Sequence, residues 1–242
     1  MDQVLTRTAD IGPLPRTLHK MVYDSHRDKV ILFGGYDGNV VKGDTWQYDG
    51  NEWVQIADTG PPSRAAHAMV YDSDTSRTIL FGGGNETSLM NDTWEWDGTE
   101  WTQVADTGPS LRAYPLMVYE SYKKAILLFG GADLTSLLGD TWRMKNGAWV
   151  KVQDMGPGPI AVGDMVYTGS RAVLFGGYDQ VVMNNDTWDW KGSLWTQRQN
   201  MGPTIRAFHS MAYDSERNCT VLFGGFDGSI LLNDTWELTI TQ

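Results

Sequence analysis

A Gly-Gly pair returns along this chain at Gly34, Gly82, Gly130, Gly176 and Gly224, at intervals of 48, 48, 46 and 48 residues. A period of that size makes the fold an array of one supersecondary unit. A segment too short to enclose its own apolar face must stack against copies of itself. The rest of the period moves in register. Leu-Phe precedes every pair, from Leu32-Phe33 to Leu222-Phe223. Asp-Thr-Trp begins 10 residues after the first Gly and is centred on Thr45, Thr93, Thr141, Thr187 and Thr235. A second Trp follows at Trp53, Trp101, Trp149 and Trp195, and then a Gly-Pro step at Gly60, Gly108, Gly156 and Gly202.

Each period reads as four short strands. In the second, the spacing predicts strand a over Ala66 to Tyr71 and strand b over Thr78 to Phe81. Strand c follows over Thr93 to Trp96 and strand d over Trp101 to Ala105. These runs are rich in Val, Ile, Thr, Tyr and Trp, which suit a pleated, half-buried surface. Turn sequences such as Asp72-Ser73-Asp74 and Asp97-Gly98 separate them. No stretch keeps a helical period. Four antiparallel strands in about 50 residues is the unit of a propeller blade.

Leu-Phe-Gly-Gly, Asp-Thr-Trp, a spaced second Trp, Gly-Pro and then Arg-Ala-x-His together resemble the kelch repeat. Arg64-Ala65-Ala66-His67 and Arg206-Ala207-Phe208-His209 carry the last element in full. The resemblance covers essentially all of the chain and implies an all-β, five-bladed β-propeller of four-stranded antiparallel blades in one domain. The blades fall at about 16–57, 64–105, 112–152, 160–199 and 206–240. The fifth period has no second Trp and no strand d. Aligning Gly12-Pro13 with Gly60-Pro61 sets Leu5 where Trp53 stands, so Val4 to Ala9 read as the missing strand, closing the ring from the N-terminal side.

Composition narrows the function. The chain carries 19 Lys and Arg against 30 Asp and Glu, a formal net charge of −11. Such a surface repels phosphate backbones, so a nucleic-acid partner is not expected. It favours cations and basic peptides. Cys219 is the one cysteine, which excludes an intrachain disulfide and a cysteine-based metal cluster. No apolar run approaches the ~18 residues that cross a bilayer as a helix, and Met-Asp-Gln-Val-Leu-Thr-Arg does not read as a signal peptide. The expectation is a cytoplasmic monomer without membrane contact, cofactor or metal.

Five copies in one chain separate scaffold from site. What recurs in every blade serves the blade, and what differs is free to serve a ligand. The Gly-Gly pairs, the strand-c Trp residues, the five Met from Met21 to Met211 and the five Tyr from Tyr23 to Tyr213 are scaffold on this rule. Asp44, Asp92, Asp140, Asp186 and Asp234 read as capping carboxylates at the start of strand c. His19, His67 and His209 recur on three blades, but three imidazoles alone do not argue a metal site. The iron motif of the kelch-type nitrile-specifier proteins has no counterpart here, and neither does the Tyr–Cys crosslink of galactose-oxidase-like enzymes.

The kelch resemblance implies that the b–c and d–a loops surround the channel mouth, where peptide ligands commonly bind. The b–c loops supply Tyr36-Asp37, Gly84-Asn85, Ala132-Asp133, Tyr178-Asp179 and Phe226-Asp227. Two residues past the Arg position stand Leu18, Ala66, Tyr114, Val162 and Phe208, all different. Asp164 replaces Lys20, Ala68, Leu116 and Ser210 at its position. The ligand-binding set is therefore Tyr36, Asp37, Asn85, Tyr114, Asp133, Asp164, Tyr178, Asp179, Phe208, Phe226 and Asp227. An aromatic and acidic mouth suits a basic peptide or a cationic small molecule. Two alternatives stand beside this reading. One is a small-molecule isomerase, cyclase or lyase using Asp164 or His67 as acid–base group. The other is a purely structural or designed repeat scaffold.

Overall fold

The computed structural model describes residues 11–153, 155–198 and 202–239, and among them there is no helix. Blade one is β1 (Lys20–Asp24), β2 (Lys29–Tyr36), β3 (Val41–Tyr48) and β4 (Trp53–Ala57). Blade two is β5 (Ala68–Asp72), β6 (Arg77–Phe81), β7 (Thr93–Trp96) and β8 (Trp101–Ala105). Blade three is β9 (Leu116–Glu120), β10 (Ala125–Phe129), β11 (Thr141–Lys145) and β12 (Ala148–Gln153). Blade four is β13 (Asp164–Tyr167), β14 (Ala172–Tyr178), β15 (Met183–Trp190) and β16 (Trp195–Gln197). Blade five is β17 (Ser210–Asp214), β18 (Cys219–Phe226) and β19 (Leu231–Thr239). Every sheet is an antiparallel meander in sequence order, four-stranded in blades one to four and three-stranded among the described residues of blade five. The expected closing strand, Val4 to Ala9, lies outside the described residues. The architecture is the five-bladed β-propeller, with the first strand of each blade beside a common axial channel.

Strand a is shorter than its residue types suggest. Ala66 has a φ of 55°, and Leu18, Tyr114, Val162 and Phe208 share that left-handed conformation. A residue turned this way cannot continue a pleat, so strand a of blade two starts at Ala68.

The core lies at the seams. A sheet has two faces, and in a propeller each is covered by a neighbouring blade. Ile31 and Phe33 of blade one join Met69, Leu80, Trp96 and Trp101 of blade two. Val70, Ile79 and Phe81 join Met117, Ile126, Leu128 and Met144 of blade three, and Leu127 and Phe129 join Ile160, Met165, Leu174 and Trp195 of blade four. A strand-d Trp plugs each of these three seams. Trp101 donates its indole N–H to Thr45 Oγ1 at 2.9 Å, Trp149 to Thr93 at 2.8 Å and Trp195 to Thr141 at 2.9 Å. The same rings stand edge-on to Phe33, Phe81 and Phe129, with centroids 5.4, 5.4 and 5.1 Å away. The Trp that fills the seam is thus the one on strand d; Trp46, Trp94 and Trp142 on strand c are half-buried, Trp94 and Trp142 pack against the seam clusters from their flank, and each gives its indole N–H to the Asp of an ion pair.

That ion pair ties the loops. Arg64 is fully buried and grips Asp92 with two parallel bonds, 2.6 and 2.8 Å long. It also donates to the carbonyls of Gly82 and Pro62. Asp92 Oδ2 accepts the indole N–H of Trp94 at 2.7 Å. Arg16–Asp44–Trp46, Arg112–Asp140–Trp142 and Arg206–Asp234–Trp236 repeat the arrangement. The Asp before Thr-Trp, expected to cap its own turn, is instead the partner of an Arg 28 residues away in sequence. The Arg carbonyl then accepts from the preceding blade: Gly35 N–H reaches Arg64 O at 2.9 Å and Gly83 N–H reaches Arg112 O at 2.8 Å. The approach explains the first glycine of the pair. A Cβ on Gly34, whose φ is 62°, would stand 2.4 Å from Arg64 O.

The seam between blades five and one differs. Phe223, Met21 and Tyr23 are 56%, 51% and 55% exposed, whereas Phe33 and Phe81 are at 0% and Met69 at 7%. Among the described residues no counterpart of the Gly35–Arg64 bond joins Gly225 to Arg16.

Arg64→Ala leaves Asp92 half-buried beside one indole N–H, and breaking a buried ion pair from one side costs about 3–5 kcal/mol. Urea unfolding is expected to show that loss for Arg64→Ala and a smaller one for Arg206→Ala, because Asp234 is 38% exposed against 17% for Asp92. Equal losses, or none, would separate the fold from this ion pair.

Candidate functional site at the channel mouth

The loops meet at one end of the channel because the repeat binds them there. After each locked Arg position the chain forms one bridge to the b–c loop of its own blade: Thr17 with Tyr36, Ala65 with Gly84, Ala113 with Ala132, Ala161 with Tyr178 and Ala207 with Phe226. The next residue turns left-handed and hands its carbonyl to the following blade. Ala66 N–H bonds Leu18 O at 2.9 Å, Tyr114 N–H bonds Ala66 O at 2.7 Å and Phe208 N–H bonds Val162 O at 2.8 Å. A non-glycine residue in this conformation is strained and persists only where its surroundings over-determine it.

The five left-handed residues line one concavity of about 170 Å3 together with Lys20, Leu116, Asp164 and Ser210 at the starts of four of the strands a and with His67 of blade two. Phe208 and Leu18 are exposed there, while Tyr114, Val162 and Ala66 are half-buried. The collar is uneven, with Phe208 and Tyr114 large, Ala66 small and Leu18 and Val162 between. Tyr114 and Phe208, expected from the sequence to face a ligand, share this opening with Leu18, Ala66 and Val162.

The b–c loops form the outer rim. Asp37 Oδ1 accepts the backbone N–H groups of Asn39 and Val40, both at 2.9 Å. Asn85, Asp133, Asp179 and Asp227 do the same two and three residues ahead. These are Asx turns. The bonds favour ionised carboxyls, so Asp133, Asp179 and Asp227 lie below the usual carboxylate range, and Asp37, paired first with Lys42 at 2.6 Å, lies far below it. The rim therefore carries four negative charges at neutral pH, with Asn85 neutral in blade two. Tyr36 and Tyr178 donate their hydroxyls to Gly38 O and Gln180 O, which folds each ring over its own loop. Phe226 is half-buried beside them.

Asp164 stands on the channel wall and ties two blades. Its carboxylate accepts Met165 N–H at 2.8 Å and, across the seam, Met211 N–H at 2.6 Å. Burial raises its pKa, against which these bonds and the Lys20 ammonium favour ionisation. His67 is 1% exposed and packs edge-on against Phe33 at 5.5 Å, with both ring nitrogens buried and without a hydrogen-bond partner. His209 sits in the same way against Phe175. Among the described residues no group of three His, Cys, Asp or Glu is placed to hold a metal ion.

With the blades, the seams and the Arg–Asp–Trp ties in view, one comparison decides the family. Residues 3–177 match the model of the KLHDC2/KLHL20/DRC7 Kelch-repeats domain. The chain belongs to that family. The matched span ends inside blade four, and the fifth blade of this Kelch domain continues the same period. No curated protein matches the chain significantly. Kelch-repeat propellers commonly serve as protein-interaction scaffolds. No helix among the described residues is long and apolar enough to cross a membrane.

The buried imidazoles give the Kelch domain a pH dependence with a definite sign. Burial, then the nearby Arg206, lowers the His209 pKa to about 4, and burial, then Arg64, lowers that of His67 well below 6.5. The unfolded chain takes up these protons near pH 6.5 and the folded one does not, so stability is lost as pH falls from about 6.5 toward 4. His209 alone accounts for about 2 kcal/mol at pH 5. Asp164, raised by burial, acts in the opposite sense. Melting curves at pH 7 and pH 5 are expected to show the loss in the wild type and a smaller one in His209→Gln; an unchanged difference would mean that His209 is not buried neutral.

Proposed function

We propose that this Kelch domain is a protein-interaction module that holds an extended peptide segment across the channel mouth, with an apolar side chain on the collar and a basic side chain against the rim. One observation carries the reading. Five different side chains, Leu18, Ala66, Tyr114, Val162 and Phe208, stand at equivalent, strained, left-handed positions around one opening. The frame beneath them is repeated, and only the presented side chains vary. That is how a rigid scaffold displays a recognition surface.

Charge selects the second contact. The ionised Asp133, Asp179 and Asp227 surround the collar with no basic partner among the hydrogen bonds they make, whereas Asp37 already has Lys42. A Lys or Arg of the ligand would meet carboxylates on the side of blades three to five and an aromatic face at Phe208 or Tyr114. The walls add Lys20 and Asp164, of opposite charge, which suits a peptide better than a simple cation. A catalytic role for Asp164 or His67 has less support: the carboxylate of Asp164 joins two blades, and His67 is enclosed.

Asp179→Asn with Asp227→Asn removes two charges and keeps both turns, as Asn85 does naturally in blade two. Fluorescence anisotropy with labelled Lys/Arg-rich peptides containing a Leu or Phe is expected to show at least fivefold weaker binding for this double variant at low salt, with a shallower salt dependence. Phe208→Ala is expected to weaken binding about tenfold at any salt. Unchanged affinity in both variants would place the binding surface elsewhere.

A further inference from the structure

The meander of each blade sends its a–b and c–d turns to the face opposite the mouth, and there blades three and four depart from blades one and two. In the first two blades a carboxylate three residues past the strand-c Trp closes the c–d turn. Asp49 accepts the backbone N–H groups of Asn51 and Glu52, and Asp97 those of Thr99 and Glu100. Each is also met from the start of strand b, Asp49 by Lys29 at 4.0 Å and Asp97 by Arg77 at 3.2 Å. At the same place blades three and four carry Lys145 and Lys191. The blade-four turn keeps its backbone without the carboxylate: Lys191 N–H bonds Leu194 O at 3.2 Å, as Asp97 N–H bonds Glu100 O at 3.2 Å. The lysines are exposed, and among the described residues neither pairs with a carboxylate. Two apolar side chains accompany them. Leu194, 62% exposed, stands where blades one and two have Glu52 and Glu100. Tyr122, 86% exposed, stands on the a–b turn of blade three where blades one, two and five have His26, Asp74 and Glu216.

The turns of the two blades form one surface. Lys123 Nζ crosses the seam to the carbonyl of Gly192 at 2.9 Å, and Arg143 Nη2 reaches the same oxygen at 3.0 Å. Glu120 meets the Arg143 charge at 2.9 Å, while no described carboxylate pairs with Lys123. Lys145 lies two residues past Arg143 on β11 and so on the same side of that sheet. Three ammonium groups without carboxylates, Lys123, Lys145 and Lys191, thus stand beside Tyr122 and Leu194 on a chain whose formal net charge is −11.

We infer that this face of blades three and four is a second interaction surface, and that its partner is an acidic protein segment: a short extended stretch with several Asp or Glu and an apolar side chain. The inference does not depend on what the mouth binds. One exposed ion pair contributes little, about 0–1 kcal/mol, so recognition needs the three lysines together and the apolar contact at Leu194 and Tyr122. The acidic remainder of the chain does not prevent it, because charges farther off than about 8 Å are largely screened at physiological ionic strength. The same neighbours choose between anionic partners. A nucleic acid or a flat anionic membrane extends past the patch and meets Asp49, Glu52, Asp97 and Glu100 on the same face, whereas a short acidic segment does not.

The test uses the full chain and a fluorescein-labelled peptide of Asp, Glu and Leu, read by anisotropy. Lys191→Asp with Leu194→Glu gives blade four the charges of blade two, whose turn already holds them. At about 50 mM salt this variant is expected to bind the peptide at least tenfold more weakly than the wild type, and Lys145→Gln with Lys191→Gln about threefold more weakly, with both differences shrinking at about 0.5 M. Melting curves report whether each variant is folded; if the first melts early, the second decides alone. Equal peptide affinity in the wild type and the folded variants would overturn the assignment, as would a wild type that binds no peptide. A single-stranded oligonucleotide or phosphatidylserine vesicles bound as tightly as the peptide, and lost in the same variants, would overturn it in favour of that partner.

Discussion

A guanidinium with no contact with water is costly unless its charge and its donors are all met. Arg64 and Arg112 meet that condition in one way: a carboxylate gripped with two bonds, a Gly-Gly carbonyl and a carbonyl two residues back. The condition is strict enough to order everything around it. It brings the start of strand a against the start of strand c. It turns the glycine carbonyl inward, and so demands a left-handed glycine. It presents the Arg carbonyl to the N–H of the previous blade. The seam and the mouth are thus consequences of one buried ion pair repeated around the axis. Blade four shows the limit of the rule. Ile160 replaces the Arg, yet Gly131 N–H still bonds its carbonyl at 2.9 Å. The backbone link survives because the neighbouring blades, each with an Arg, hold the loop from both sides.

The repeat makes the blades legible in the sequence, because strand periodicity, turn residues and the Gly-Gly pair are local signals. Long-range partners were not. Nothing local in Asp92-Thr93-Trp94 says that the carboxylate answers Arg64, and a capping role is the local solution to a non-local problem. The positive φ of Ala66 was invisible for the same reason: alanine has no preference for that conformation, and the bonds on either side impose it. Of the candidate site, the variable positions could be read by comparing the repeats with one another. The turn-capping of Asp37, Asp133, Asp179 and Asp227 was readable too, since Asx turns are local. The two-blade bond of Asp164 was not, because it depends on the facing of β13 and β17.

The division of labour within each loop has a chemical logic. Residues that satisfy buried partners cannot vary without loss, so Arg, Asp, Gly and Trp recur. The residue two places past the Arg contributes only its backbone to the frame, through its N–H and C=O, and its side chain is free. Leu18, Ala66, Tyr114, Val162 and Phe208 differ while their φ values stay between 55° and 58°. Variation is therefore concentrated where it does no harm to the fold, and that place is the lip of the channel. A ligand arriving there meets a preorganised backbone and loses little by ordering it.

The same bookkeeping of filled and unfilled positions applies at the ring's ends. A closed array hides every seam, while an array with two ends exposes one face at each, and the exposed residues are of the buried kind. Phe223 and Trp236 at one end and Met21 and Tyr23 at the other are apolar or aromatic because the repeat makes them so, not because solvent suits them. Their exposure is a force toward closure.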